Sequence, residues 1–425
     1  MFWFGWYARQ GYRVTRIGQG GFLTLSSKHT SGLADWVIPA VLVACTSVSI
    51  LSTDLYTPSL PHLPRLLASN AETVQLTVSL NLAAYALAQL AHGPLADRFG
   101  RRRLLLIGMF GFLGASLICA TAQTIGGLLA GRIGQGIFAS VASVVVILII
   151  RELFDKKRAV RIMGYYGMAM GVAPATGPLL GGYIFILVGW RMNFVLLAVL
   201  SAGVFFLVRR FLPETGTRNY DAIQPGQIAR GYLDLLRRRA YLRYLIPLTM
   251  LFGAFFAFVT AGPFLLIDRL GVATQNYGLY YGLLVLAFMA GGFTVTRLAG
   301  RVSADRMVQG AIFFAVLGGV VLVAPLVAGH ESLAVIMIGM AVLSFGIGLI
   351  LASGPSCLLD GAGDGASGSA SALAGSLQMM SGSLGGLLVG SFHDGSAWPL
   401  ALTIAGFTSI AALGYAGLRP SGRSV

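Results

Sequence analysis

Apolar stretches of about 20 residues recur along almost the whole 425-residue sequence, and this feature constrains the fold more than any other. Backbone groups cannot stay unpaired in hydrocarbon, so each stretch is expected to be an α-helix that crosses a membrane. Strands of a membrane barrel would alternate apolar and polar residues, and a run such as SVVVILII does not alternate. Soluble domains carry about a quarter charged residues. With 11% charged residues, this chain is predicted to be an all-α polytopic membrane protein.

Twelve transmembrane helices are predicted, six on either side of a long central connection. The N-terminal half covers 35–211, the connection 212–242 and the C-terminal half 243–418. The connection contains ARGYLDLLRRRAYLRYL, in which leucines and tyrosines lie among arginines. This pattern predicts an amphipathic helix on the inner membrane surface, with a plain solvated linker as the alternative. The predicted spans are 36–60, 74–96, 103–122, 125–150, 162–187, 191–211, 243–266, 277–298, 309–329, 333–353, 368–391 and 397–418.

The net charge of +15 is carried by the segments that connect the spans. One side of the membrane receives 26 of the 30 lysines and arginines, and both ends of the chain fall on that side. The positive-inside rule therefore predicts a multi-pass protein of the bacterial inner membrane with both termini cytoplasmic. Residues 1–34 are expected to be a flexible cytoplasmic arm and residues 419–425 a cytoplasmic tail. The connection near 354–367 is an exception, because it carries two aspartates and no basic residue.

The sequence indicates no cofactor, no metal site and no enzyme. The three cysteines lie singly inside apolar spans, the five histidines are scattered, and no phosphate-binding G-x-x-x-x-G-K-[ST] loop occurs. Because the basic residues follow the membrane topology, nucleic acid is not expected as a partner. A membrane sensor or enzyme is a distant alternative, since it would need a catalytic constellation or an output domain.

The connection between spans 2 and 3 reads GPLADRFGRRR, from Gly93 to Arg103. It resembles the loop signature of the major facilitator superfamily, G-x-L-a-D-r-x-G-r-k, at nearly every defining position. The resemblance implies a fold of two six-helix halves, and a related GRVSADR after span 8 favours internal duplication. It also implies that Asp97 faces the N-terminus of a second-half helix and holds the outward-facing state. The implied gating cluster is Gly93, Asp97, Arg98, Gly100, Arg101 and Glu152.

Span 5 contains GVAPATGPLLGG, from Gly171 to Gly182. Glycine allows close helix contacts in membranes and proline removes a backbone donor, so this span is expected to bend and pack tightly. The segment resembles the superfamily motif G-x-x-x-G-P-x-x-G-G of exporters that exchange substrate for protons. The residues assigned to this antiporter motif are Gly171, Gly177, Pro178, Gly181 and Gly182.

Two charged residues lie inside spans. Asp54 belongs to SILSTDLYTPSLP, which resembles the first-span motif of the bicyclomycin and chloramphenicol resistance branch. Arg132 belongs to LLAGRIGQGIFAS, which resembles the span-4 motif linked to proton coupling, although a snorkelling arginine is the alternative. A rise of about 1.5 Å per residue puts both at a similar depth, where opposite charges stabilise each other. The resemblance implies that both residues couple protons to transport. Thr46 stands where some members of the branch have a second acid.

A substrate cavity is expected between the halves. Asn81 and Tyr85 share one face of span 2, aromatic residues crowd span 7, and Gln378 is the amide of span 11. Ordinary helix packing is the alternative reading for each of them. The candidates for the cavity are Tyr56, Asn81, Tyr85, Gln135, Phe255, Phe256, Phe258 and Gln378.

The branch holds drug:proton antiporters. The resemblance therefore implies a secondary transporter that exports drug-like molecules in exchange for protons by alternating access, working as a monomer in the bilayer. An aromatic-rich, acid-poor cavity favours apolar or amphipathic compounds. Export of an endogenous sugar, amino acid or biosynthetic product by the same fold is the near alternative.

Overall fold

A computed structural model describes residues 12–17, 22–27, 34–215, 225–363 and 366–418. Within these ranges, twelve helices are long and apolar enough to cross a membrane, which confirms the predicted fold class. We number them α1 to α12. Their bounds are Ala34–Asp54, Ala71–Phe99, Arg101–Thr121, Ile125–Leu153, Lys156–Val188, Arg191–Phe211, Arg239–Pro263, Tyr277–Leu298, Ala304–Val327, Leu333–Ala362, Ser367–Ser391 and Trp398–Gly417.

Five shorter helical segments lie between the spans in the part of the chain that the structure describes. A 3-10 helix, Thr57–His62, and a single turn, Leu63–Leu66, follow α1; a π-helix, Phe264–Arg269, extends α7; and a 3-10 turn, Thr274–Asn276, precedes α8. These four lie on the side of the bundle where α1 ends, which we call the distal side. The opposite side, where α1 begins, is the terminal side. The fifth segment, Pro225–Arg237, lies in the central connection just before α7 and is called the linker helix.

A β-hairpin lies within the segment predicted to be a flexible arm. Strands β1 (Tyr12–Ile17) and β2 (Phe22–Ser27) are antiparallel, with Tyr12 opposite Ser27. Both strands contain β-branched or aromatic residues and flank the glycine-rich sequence GQGG, which is a hairpin signal. The rest of the predicted arm and the predicted tail fall outside the described residues.

Local sequence explains how several connections stay short. Gly100 and Gly189 have φ values of 94° and 89°, a conformation that favours glycine, and they let α2 turn into α3 and α5 into α6. The side chains of Asn70, Thr124 and Asp155 cap α2, α4 and α5 by accepting a backbone N–H three residues further on.

The tenth span extends further than the sequence suggests. The predicted span ends at residue 353, but α10 continues through Pro355 to Ala362, so most of the acidic connection predicted near 354–367 is helical. The predicted end is wrong because neighbouring helices can support a proline inside a membrane helix. Asp360 consequently lies in the last turn of α10.

Each half of the bundle has its own hydrophobic core. One core draws its residues from Ile38 to Leu212, together with Phe264, and the other from Leu235 to Tyr415. Among the described residues, the most extensive contacts between the halves are those of α2 with α11 and of α5 with α8. In the first of them, the hydroxyl of Ser376 donates to the carbonyl of Ala86 over 2.8 Å.

Candidate functional site

Asp54 is the last residue of α1, and it lies where the two halves meet. It is 5% exposed. The hydroxyl of Tyr281, in α8 of the second half, donates to Asp54 Oδ1 over 3.4 Å. A methyl group placed on Gly177 of α5 would come within 3.0 Å of Asp54 Cβ, so α5 packs directly against the acid. Asp54 therefore joins α1, α5 and α8 at one buried point.

The sequence does not mark Tyr281 as functional, and its neighbour Tyr277 is equally unmarked. The two rings lie one helical turn apart, with centroids separated by 6.2 Å. The hydroxyl of Tyr277 is buried and makes no hydrogen bond within the described part of the chain. Their i, i+4 spacing puts both tyrosines on one face of α8, which is the one signal available without the structure.

Arg132 is fully buried in α4, where it holds the end of α1. Its Nη1 donates to the carbonyl of Ser52 and to Gln135 Oε1, each over 2.7 Å, and its Nε donates to the carbonyl of Thr77 over 3.2 Å. Its guanidinium carbon lies 4.4 Å from the ring centre of Tyr56. The carbonyl of Ser52 is available because α1 stops two residues later, and carbonyls at a helix C-terminus attract cations.

The two intramembrane charges lie at similar depth but do not form an ion pair in the described structure. Arg132 instead contacts the backbone two residues before Asp54. The guanidinium nitrogen Nη2 is buried, and neither of its N–H groups has a hydrogen-bond partner within the described residues. The positive charge of Arg132 is thus stabilised by neutral oxygens and by the aromatic ring of Tyr56. Asp54 is hydrogen-bonded to Tyr281 of the second half instead.

Replacing Arg132 with lysine is expected to destabilise the first half, since an ammonium lacks the planar fork that reaches three oxygens. Leaving a buried acceptor unpaired costs about 1–3 kcal/mol. We expect Arg132→Lys to lower the melting temperature of the purified protein in detergent. Arg209→Lys, at an exposed position, is the matched control, and equal melting temperatures for both variants would contradict this role for Arg132.

Several side chains predicted to line the cavity are instead part of the framework around Arg132. Asn81 Nδ2 donates to the Arg132 carbonyl over 2.7 Å, and Gln135 Nε2 donates to Ser116 Oγ over 2.8 Å. The hydroxyls of Tyr56 and Thr77 lie 2.9 Å apart. Asn81, Gln135 and Tyr56 are at most 2% exposed, so they present no surface to a ligand in this conformation.

The other cavity candidates differ in exposure. Phe258 is fully buried in the second core, whereas Phe255, Phe256, Tyr85 and Gln378 are partly exposed. The ring of Phe255 lies 6.0 Å from that of Phe256 and 6.2 Å from that of Tyr281. An aromatic surface therefore leads from α7 towards the partner of Asp54.

The antiporter motif brings α5 into backbone contact with the end of α1 and with the 3-10 turn before α8. A side chain on Gly181 would overlap the carbonyl oxygen of Leu55, and one on Gly182 would come within 2.9 Å of the Thr274 carbonyl oxygen. Gly171 has more room, with Met289 Sδ at 3.6 Å from an added methyl. Pro178 lies inside α5, which remains one helix from Lys156 to Val188.

A hydrogen bond at the distal surface also joins the halves. His62 Nε2 and Thr274 Oγ1 lie 3.0 Å apart, and the His62 ring stacks on Phe185 at 4.6 Å. Together with the contacts that Asp54 and Gly182 make to the second half, this bond closes the distal side.

The predicted gating cluster lies on the terminal side. Arg101 bridges Asp97 at 2.6 Å and Glu152 at 3.0 Å, and Glu152 also accepts from Thr215 Oγ1 over 2.7 Å. Gly100 makes the turn that presents Arg101. These partners all precede residue 216, so none belongs to the second half.

Two further members of that cluster make few contacts. Arg98 lies over the ring of Phe99, with 5.6 Å from its guanidinium carbon to the ring centroid. A methyl added to Gly93 would meet no atom within 4 Å, so no neighbouring helix approaches Gly93 closely in this conformation. Asp97, expected to face a second-half helix, is instead about half exposed and bonded within its own half.

Residues 42–386 match the family model described as Major Facilitator Superfamily. The chain belongs to the major facilitator superfamily. This facilitator is 28% identical to a bicyclomycin resistance protein homolog of Haemophilus influenzae, over 85% of this chain and 91% of that protein. It is also 28% identical to a chloramphenicol resistance protein of Pseudomonas aeruginosa, over 82% and 83% of the two chains. These relatives confirm the bicyclomycin and chloramphenicol resistance branch, so the chain is a transporter and not an enzyme.

The same fold occurs in a solved structure. The human organic anion transporter MFSD10 superposes with a TM-score of 0.68 at 19% identity, covering 91% of this facilitator and 99% of that chain. At such low identity the likeness concerns the fold alone, and it agrees with two six-helix halves.

Proposed function

We propose that this facilitator exports drug-like small molecules in exchange for protons, with both termini in the cytoplasm of a bacterial cell. The excess of lysine and arginine on the terminal side supports this orientation in the inner membrane. The resistance proteins among its relatives support a drug-like cargo. Alternating access is supported by a distal side closed by both halves and a terminal cluster bonded within one half.

The observation that carries the proposal is the buried position of Asp54 between the halves. An ionised carboxylate removed from water is costly unless it is well paired, and here it has one side-chain hydrogen bond of 3.4 Å. In the proposed cycle, Asp54 takes up and releases its proton as the halves separate around it. In this scheme, cargo that enters from the cytoplasm promotes release of the Asp54 proton to the cytoplasm. When the distal side then opens, the cargo leaves on that side and Asp54 takes up a new proton from it.

The cargo surface that fits this scheme is aromatic and uncharged. We assign it to Tyr85, Phe255, Phe256 and Gln378, which are partly exposed in the conformation described. Such a surface favours apolar or amphipathic compounds, since aromatic faces bind them without requiring a specific charge.

Transport by the purified protein in proteoliposomes tests the proposal. We expect a pH gradient to drive movement of a neutral amphenicol, and of at least one other bulky apolar compound, above the rate without a gradient. Labelled sugars and amino acids serve as the comparison. Gradient-driven transport of those metabolites, with none of the drugs, would replace the proposal with metabolite export.

Tyr281→Phe is expected to weaken coupling without removing cargo binding. Because the hydroxyl stabilises the carboxylate in the closed state, its loss makes proton release on the terminal side less favourable. A hydrogen bond to a charged group contributes about 1.5–3 kcal/mol. Because this bond is long, at 3.4 Å, we take the lower end of that range and expect gradient-driven efflux to fall about tenfold.

Drug-for-drug exchange without a gradient is the second readout for Tyr281→Phe, and it should stay near the unmodified rate. Tyr280→Phe, at the adjacent and partly exposed position, is the control. If Tyr281→Phe reduces gradient-driven efflux and drug-for-drug exchange equally, Tyr281 contributes to packing and not to proton coupling.

A further inference from the structure

The linker helix has two different faces. Leu235 is 2% exposed and packs into the second core, whereas Leu233 and Leu236 are 53% and 37% exposed. Arg230 and Arg237 flank these leucines on the exposed surface. An exposed face that mixes leucine with arginine is typical of helices that lie at the boundary between headgroups and acyl chains.

The position of the helix keeps it at the membrane surface. It ends at Arg237, and α7 begins at Arg239. A methyl on Gly361 would come within 2.6 Å of the Ala240 carbonyl oxygen, so the start of α7 packs tightly on the end of α10. Because one residue separates the two helices, the exposed leucines stay close to the terminal end of the membrane-spanning helix α7.

Charge selects the kind of lipid. Arg230, Arg237 and Arg239 are exposed, and Asp234 is the exposed acid of the linker helix. Arg238 is engaged by the protein, since its Nη1 donates to the Ala362 carbonyl at the end of α10. The exposed surface therefore carries an excess of positive charge next to apolar side chains.

We propose that the exposed face of the linker helix binds the headgroups of anionic phospholipids. The guanidinium groups pair with phosphate oxygens while Leu233 and Leu236 enter the acyl boundary. The site is attached to the second half of the transporter, because Tyr241 OH donates to the Ala370 carbonyl of α11 over 2.8 Å. Since α11 packs against α2, lipid held here contacts a half that has to move during transport.

Energy transfer to labelled lipids tests this proposal on the full chain. The native cysteines are buried, so a donor dye on Ala229→Cys, at an exposed position, labels the linker helix. The protein is reconstituted in phosphatidylcholine vesicles with a trace of acyl-labelled phosphatidylglycerol or acyl-labelled phosphatidylcholine. An arginine at an anionic lipid contributes about 1 kcal/mol, which is about a fivefold enrichment. We expect transfer to phosphatidylglycerol to exceed transfer to phosphatidylcholine by at least that factor.

Charge variants of the same labelled protein separate the proposal from general attraction to a basic surface. Arg230→Gln, Arg237→Gln and Arg239→Gln combined should abolish the preference, and the corresponding lysine triple should retain it. Arg297→Gln, Arg301→Gln and Arg306→Gln combined remove equal charge elsewhere on the terminal side and should leave it unchanged. The proposal is overturned if the two lipids give equal transfer, if the preference survives the first triple, or if the third triple abolishes it.

Discussion

Asp54→Asn is expected to abolish efflux driven by a pH gradient. Asparagine keeps the shape and a hydrogen-bond acceptor for Tyr281, so the closed distal contact is able to form. It neither takes up nor releases a proton, so proton movement and cargo movement become independent. The measurement is the initial rate of drug transport in proteoliposomes with and without an imposed gradient, and the two rates should become equal.

Asp394→Asn provides the matched control for that experiment. Asp394 lies in the distal connection between α11 and α12, where two hydrogen bonds from Ser396 hold the pKa of its carboxyl below the usual range. This acid stays ionised throughout the physiological range, and its removal should leave coupling intact. Full gradient-driven efflux by Asp54→Asn would refute a proton-carrying role for Asp54.

Gly182→Ala is expected to hinder closure of the distal side. The added methyl would come within 2.9 Å of the carbonyl oxygen of Thr274, which belongs to the second half, and a backbone atom cannot move aside as a flexible side chain does. Overpacking costs about 1–3 kcal/mol, which shifts the balance between closed and open states about 5-fold to about 150-fold towards the open state. We expect transport to fall in both driven efflux and exchange.

Thiol labelling from the distal side measures the same shift directly. Thr274 is 8% exposed in the closed conformation and its hydroxyl pairs with His62 of the other half, so Thr274→Cys should react slowly in the unmodified background and rapidly with Gly182→Ala. Gly167→Ala is the control, since a methyl there meets no atom within 4 Å. Because alanine favours a helix over glycine by about 1 kcal/mol, unfolding of α5 does not explain the loss. Slow labelling of Thr274→Cys in the Gly182→Ala background would contradict the steric argument.

The helices and their number follow from the sequence because a long apolar segment that crosses a membrane must be helical whatever surrounds it. The fold class needed no knowledge of contacts, and the loop motif was enough to suggest the family. The end of α10 was not predictable in the same way, since the effect of Pro355 depends on the helices that surround it.

The contacts of the site were less accessible to sequence reasoning. The depths of Asp54 and Arg132 follow from counting residues, but the partner of Arg132 depends on where α1 stops and releases the Ser52 carbonyl. Tyr281 is 227 residues from Asp54, and no local pattern connects them. Asn81 and Gln135 look like cavity residues because a polar side chain in a span suggests a ligand. In the structure, both form hydrogen bonds with the buried Arg132.

Asp54 is the one buried acid among the described residues, and this has an electrical consequence. A single carboxylate carries one proton, so under the proposed function a neutral cargo leaves as one positive charge enters. The membrane potential then contributes about 2.3 kcal/mol per 100 mV, which corresponds to about a 50-fold concentration ratio. A cargo with one positive charge exchanges without net current and gains nothing from the voltage. In cells with a membrane potential, the concentration ratio across the membrane should therefore be larger for neutral compounds than for cationic ones.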